Sequence, residues 1–288
     1  MSKILWKANS ETKLNSNLYR FEKFISKKFN KKFNKKYEKI LNWSIKKSDD
    51  FWSSVWDFCK VKGIKSNNKI KKSKIFYKNI FLPNSSLNFA QNLLSKKTPS
   101  KAITFLSENG FREERSWKDL HNNMSKLQVF FNKIKLLNGN RVAAYTINSI
   151  ETVEAFLATT SIGAVWSSCS PDFGVKGVIE RFAQIKPKVL FVTDRYYYNG
   201  KEINILERVP EILKKIKSIK YLIIINYPGK NFLKKNIKFK RLKVFFWNDL
   251  KEIASKKIYF KKFDFEHELA ILYSSGTTGK PKCICHKN

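Results

Sequence analysis

The strongest constraint on the fold is an alternation of two periodicities between Ala102 and Trp247. Short apolar runs at Ala102–Ser107, Arg141–Thr146, Lys188–Thr193, Tyr221–Asn226 and Lys243–Trp247 have the length and composition of buried strands. Helical patterns separate them. Leu120, Met124, Leu127, Phe130, Phe131, Ile134 and Leu137 keep one face, with Ser116 and Asp119 as a capping box and Gly139 as the stop. Ile150–Ala164, entered through Asn148 and Glu151, is apolar nearly all round, as a helix buried between layers must be. After a loop from Val165, Val175, Val178, Ile179, Phe182 and Ile185 line a third helix. Ile205 to Ile216 forms a fourth, interrupted or restarted at Pro210. Such strand, helix, strand repetition predicts an α/β fold with a mostly parallel sheet and right-handed crossovers.

The residues before Thr98 read as helical and separate. Met1–Asn17 is polar and reads as an extended arm, with Trp6 its one large apolar residue. Phe29, Phe33 and Tyr37 recur every fourth residue among lysines, which places them on one helical face. Either a basic face for a polyanion or a packed helix with a solvated Lys side fits that pattern, and packing is the simpler account. Ser48, Asp49 and Asp50 can cap a helix starting near Phe51. Trp43, Phe51, Trp52, Val55 and Trp56 then form an aromatic cluster expected in a core. Asn67–Lys78 is a Lys-rich connector. Leu87, Ala90, Leu93 and Leu94 suit a short helix after the Pro83 turn.

The chemistry-bearing stretch is Ile271–His286, ILYSSGTTGKPKCICH, read as strand, loop, strand. Gly276 and Gly279 let the backbone bring its N–H groups close to an anion, and Ser274, Ser275, Thr277 and Thr278 add hydroxyl donors. Lys280 and Lys282 add positive charge. A Walker A loop is excluded, because Pro281 follows Lys280 and the glycines stand too close together. A bare Gly-Thr-Thr-Gly tetrapeptide would read as a surface turn. Strand-like flanks and a lysine on either side of Pro281 favour a phosphate loop.

YSSGTTGKPK resembles the phosphate-loop signature of the adenylate-forming enzymes, the family of acyl-CoA synthetases, luciferases and peptide-synthetase adenylation domains. Ser274, Ser275, Gly276, Thr277, Thr278, Gly279 and Lys282 fall on that signature, Lys280 takes its variable slot, and Cys283 stands where many members have Gly. WSSCSPDFG, GVIERFAQIKPKVLF and YYYNGKEI are similar to the acetoacetate-activating branch of the family. The resemblance implies the N-terminal part of the family's large domain, with mostly parallel sheets flanked by helices, preceded by a helical segment. Its implied divisions are 1–35 (arm and basic helix), 36–95 (an acetyl-CoA synthetase-like segment) and 96–288 (the AMP-binding domain up to the phosphate loop). It implies ATP, Mg²⁺ and coenzyme A as substrates or cofactors, and acetoacetate, or alternatively acetate or propionate, as the acid. The family's adenylation lysine and metal-binding motifs come after the phosphate loop, so these 288 residues alone are expected to be inactive, with open strand edges prone to aggregate.

Composition adds limits. The formal charge of +35 would ordinarily point to a polyanion. Its cations are overwhelmingly Lys, alongside abundant Asn, Ile and Phe, the amino acids of AT-rich codons, and no nucleic-acid-binding motif accompanies them. No nucleic-acid partner is therefore expected. The alternative, a basic nucleotide- or nucleic-acid-binding fragment, would use the helix around Phe29 and Phe33. Cys59, Cys169, Cys283 and Cys285 have no disulfide-framework spacing, and MSKILWKANS lacks the apolar core of a signal peptide, so reduced thiols and a cytoplasmic location are expected. Cys283, Cys285 and His286 read as alternating strand residues rather than zinc ligands. No run approaches the roughly 20 apolar residues of a membrane span. His121 and His267, without partner constellations, are expected to be solvated.

Overall fold

The computed structural model describes residues 4–231, 239, 241–274 and 279–288, in two compact units, Met1–Ser86 and Leu87–Asn288.

In the first unit Asn9 and Ser16 accept the N–H groups of Thr12 and Tyr19, so α1 (Ser10–Asn15) and α2 (Asn17–Phe29) start where an extended arm was expected. Helices α3 (Tyr37–Lys46) and α4 (Ser48–Phe58) follow. The single face through Phe29, Phe33 and Tyr37 does not exist. Asn30 closes α2 at φ 48°, and Asn34 and Lys35 also have positive φ; Asn adopts this conformation at lower cost than most residues. The Glu22 carboxylate accepts the Lys35 N–H at 2.8 Å and so fixes the turn. Phe29 and Phe33 instead meet Trp43 at ring-centroid distances of 5.2 and 5.5 Å, while Tyr37 is 56% exposed. With Phe21, Ile25 and Ile40 these rings form the core of the unit. The Ser48 hydroxyl turns back to Ile45 O, and Asp49 accepts the Ile70 N–H, so neither caps a helix at Phe51. Trp52 stays 40% exposed rather than joining the core. Two short strands, β1 (Gly63–Ile64) and β2 (Ser86–Leu87), come next in the chain.

The second unit opens with α5 (Phe89–Leu93), capped by Asn88, and a hairpin of β3 (Lys101–Leu106) and β4 (Arg112–Ser116). The charged sequence REERS hides β4 from a search for apolar alternation, and β3 belongs to this separate ribbon rather than to the main sheet. Ser116 caps α6 (Trp117–Lys133) by accepting the Asp119 N–H. That helix ends before Gly139. Lys135 turns left-handed at φ 51°, the Leu136 N–H returns to Phe131 O at 2.9 Å, and Leu137 is left exposed.

Then come β5 (Arg141–Tyr145), α7 (Ile150–Ser161), β6 (Val165–Cys169), α8 (Val175–Ile185) and β7 (Val189–Thr193). Ser149, not Asn148, caps α7. Val165–Cys169 is a strand rather than a loop; its polar Ser167 is tolerated at 0% exposure because its hydroxyl donates to Ile271 O at 2.8 Å. YYYNGKEI forms a hairpin of β8 (Arg195–Tyr198) and β9 (Lys201–Asn204), turning at Asn199 and Gly200, both at positive φ. Pro210 restarts the chain in α9 (Val209–Lys215), followed by β10 (Tyr221–Ile225), β11 (Lys243–Phe246) and α10 (Trp247–Lys251). The last strands are β12 (Glu268–Ser274) and β13 (Lys282–Lys287).

Seven strands form one sheet in the order β11-β10-β7-β5-β6-β12-β13. All neighbours are parallel except the β12–β13 pair. Both faces are covered, which is why the inner strands read as unbroken apolar runs. Val142, Ala144, Val189 and Phe191 pack with α6, α7 and α10 on one face. Ala143, Tyr145, Leu190 and Val192 pack with α8 and α9 on the other.

Neither histidine is freely solvated. His121 Nε2 lies 2.7 Å from Lys96 O, while His267 stacks on Phe263 at 3.9 Å and reaches Gly163 O at 2.9 Å. Gly163 is required there. Its φ is +75°, and a Cβ would stand 2.0 Å from the Phe263 ring. Gly163→Ala should cost about 2–4 kcal/mol from overpacking plus backbone strain, read as a lower urea midpoint with unchanged m.

Candidate functional site

The carboxyl ends of β5, β6 and β12 lie side by side, the place where open α/β sheets gather ligands. Strand β12 arrives there half-buried, held to β6 by parallel pairing and by the Ser167 hydroxyl. It returns as β13 in a hairpin whose last ladder pair is Ser274 with Lys282. Residues directly opposed in a ladder project to the same face, so Ser274 and Lys282 stand together at the mouth of the loop. Gly279 is at φ +94° with open space around its Cα, and Lys280 and Lys282 are both exposed. Ser275, Gly276, Thr277 and Thr278 lie outside the described residues. Four of the eight sequence-identified positions are therefore placed, all at the two ends of one hairpin loop.

Helix α8 braces the returning leg. Gln184 Nε2 donates to Pro281 O at 2.9 Å, and its Oε1 is 3.6 Å from Cys283 Sγ. The Arg181 guanidinium lies 3.9 Å from the Phe173 ring centre and 5.8 Å from that of Tyr273. Burial pushes the Tyr273 phenol up to about 12, so it stays neutral, 3.1 Å from Ser167 Oγ. In the ladder Cys283 and Cys285 oppose Tyr273 and Ile271, whereas His286 opposes Ala270. Cysteines and histidine therefore fall on opposite faces. Among the described residues no group of three or more His, Cys, Asp or Glu could hold a metal ion.

One part of this site was not found from the sequence. A cleft of about 300 Å³ opens at the ends of β5 and β6, lined by Thr146, Asn148, Thr152, Ser168, Ser170 and Asp172. Thr146 is only 6% exposed, and its Oγ1 has no hydrogen-bond partner among the described residues. The available signal was the change from apolar to polar residues directly after two strands, at Thr146 and Ser170. Cys169 also lines the cleft, and burial raises its thiol to about 12.

A buried clamp holds the turn beside the cleft. The Tyr145 hydroxyl lies 2.6 Å from Phe173 O and 3.0 Å from Pro171 O, and its one proton can serve either. Arg208 Nη1 donates to the Tyr145 oxygen at 2.8 Å and to Pro171 O at 2.9 Å. Desolvation raises the Tyr145 pKa against the opposing effect of Arg208, which keeps the phenol a donor.

The profile of the family described as AMP-binding enzyme matches residues 94–288. An acetoacetyl-coenzyme A synthetase of Rhizobium meliloti (strain 1021) is 37% identical over 246 residues, 85% of this chain and 37% of that protein. An acetoacetyl-CoA synthetase of Gallus gallus is 32% identical over 294 residues, 99% of this chain and 43% of that protein. The solved structure of an acetoacetyl-CoA synthetase from Streptomyces lividans superposes with a TM-score of 0.89 at 26% identity, covering 99% of this chain and 43% of its own. The chain thus spans 37–43% of the length of these relatives. From the first strands of the second unit to the Ser274–Lys282 hairpin, it belongs to the AMP-binding enzyme family.

Proposed function

We propose that the protein carrying this chain is an acetoacetate-CoA ligase that forms AMP, and that these residues supply part of its nucleotide site. The observation that carries the reading is the hairpin at the carboxyl edge of a parallel sheet, closed by Ser274 and Lys282 around a Ser/Thr/Gly loop. In the first half-reaction a carboxylate oxygen of acetoacetate attacks the α-phosphorus of ATP, and the bond to pyrophosphate breaks. In the second, the thiol of coenzyme A adds to the acyl carbonyl, loses its proton, and expels AMP.

This chain's part belongs to the first step. The hydroxyls and backbone N–H groups of this Ser/Thr/Gly sequence, with the Lys282 ammonium, hold the β- and γ-phosphates in line and offset the charge that builds on the leaving pyrophosphate. ATP would be bound as its magnesium complex. This chain's own contribution is that of lysines, hydroxyls and backbone donors.

Acetoacetate-dependent exchange of labelled pyrophosphate into ATP by the full-length protein tests the reading, with acetate and propionate in parallel. Preference for acetoacetate with release of AMP is expected. Exchange supported better by acetate or propionate would reassign the acid, and no exchange with any of the three would overturn the assignment.

A further inference from the structure

In a doubly wound sheet the ligand crevice opens between the two strands whose outgoing connections run to opposite sides. Here those strands are β5, which leads to β6 on one side, and β7, which leads to β10 on the other. Arg208, within the connection leaving β7 and just before α9, reaches Tyr145 at the end of β5. Both side chains terminate on the carbonyls of Pro171 and Phe173. Tyr145 is fully buried, so none of its contacts is exchangeable with water at low cost. Phe173 is fixed a second time, through its ring, by Arg181.

The turn held in this way forms one wall of the cleft at β5 and β6, where Ser170 and Asp172 face Thr146, Asn148 and Thr152. A connecting loop needs no such attachment merely to link β6 to α8. Two tethered carbonyls, a stacked ring and, opposite them, a buried hydroxyl with no partner among the described residues are the marks of a shaped wall.

We propose that Tyr145 and Arg208 are positioning residues of the proposed ligase, holding the Ser170–Phe173 turn so that the cleft keeps the shape its occupant requires. The role rests on the ligase reading for its kinetic consequence and on geometry alone for its structural one. The clamp acts at β5 and β6, whereas the phosphate loop lies between β12 and β13. Loosening the clamp should therefore weaken the binding of one substrate more than it slows phosphate chemistry.

Tyr145→Phe removes the hydroxyl yet keeps the ring. Arg208→Lys keeps the charge but cannot reproduce the two directed bonds. In the full-length protein each should raise the KM for one of ATP, acetoacetate and coenzyme A by about tenfold, equivalent to about 1.4 kcal/mol, while kcat falls much less. Alkylation of Cys169, followed by peptide mass spectrometry, should accelerate by a similar factor, with the melting temperature lowered only by a few degrees. Unchanged protection of Cys169 would overturn the clamp. So would a drop in melting temperature and kcat with no change in any KM, the result expected of a purely structural contact. If the parent protein shows no ligase activity, the function proposed above fails, and the Cys169 measurement still decides the clamp.

Discussion

Replacing Lys282 with alanine should lower acetoacetate-dependent pyrophosphate exchange in the full-length protein by roughly a hundredfold to a thousandfold, the usual cost of removing one preorganised donor from a developing anion. The argument is positional. Lys282 opposes Ser274 as the first pair of an antiparallel ladder, so its backbone is held by β12 at the mouth of the loop, and its side chain is exposed. The carbonyl of Pro281, just before it, accepts from Gln184 of α8. Little reorganisation is then needed when charge appears on the leaving group. Lys280, exposed and outside the ladder, should matter much less, and Lys280→Ala is the control. Lys282→Arg should recover part of the rate through retained charge. Wild-type exchange in Lys282→Ala would remove the lysine from the mechanism and leave the loop's hydroxyls and backbone to carry it.

A second large effect, on stability and its pH dependence, is expected away from this loop, between β4 and α7. Glu154 is 0% exposed and Glu151 5%, and a single guanidinium serves both. Arg115 Nε is 3.0 Å from Glu154, and its Nη2 is 3.7 Å from Glu151 and 3.0 Å from Glu113. Asn123 adds one hydrogen bond to Glu154 at 2.8 Å. Despite that arginine, desolvation dominates and raises the Glu154 carboxyl from 4.5 to about 7. Arg115→Met should therefore push the Glu154 carboxyl further up and destabilise the fold at neutral pH by roughly 1–3 kcal/mol, because Glu113, Glu151 and Glu154 lose their guanidinium partner.

The pH dependence has a definite sign. A carboxyl whose folded pKa is raised binds more protons folded than unfolded, so its contribution is complete below pH 4.5 and is lost as pH rises to about 7. The loss is on the order of 3 kcal/mol. Urea unfolding of the parent between about pH 5 and about pH 8 should show stability falling through that window. Glu154→Gln should flatten the profile. A parent profile already flat there, or a Gln variant that keeps the slope, would assign the titration to another group.

Local chemistry explains which elements could be read directly. Ser116 caps α6 as the capping pattern implies, because a Ser hydroxyl and the third following N–H meet without help from the rest of the chain. The inner strands Arg141–Tyr145, Val189–Thr193 and Tyr221–Ile225 are legible because burial on both faces leaves unbroken apolar runs. Elements that depend on distant partners were not legible. REERS becomes a strand only beside Lys101–Leu106, and Val165–Cys169 pairs with Arg141–Tyr145 and keeps its polar Ser167 buried because Ile271 O, 104 residues away, accepts from it. The break after Phe29 rests on Asn30 and on the Glu22 carboxylate, since periodicity alone continues through it.

The candidate site divides in the same way. By itself the sequence determined the α/β class and the two strands that flank the Ser274–Lys282 loop, and it supplied the residue types from which a phosphate role is proposed, because these depend on residues within a few positions of one another. Only the tertiary structure decided the sheet order and the pairing of Ser274 with Lys282. It alone brought Arg208 to Tyr145 across 63 residues and placed Thr146 opposite Ser170 and Asp172. The physical reason is that a cleft at strand ends is made of loops from separate crossovers. Each loop is an ordinary polar turn, and their convergence is set by the packing of the apolar segments between them.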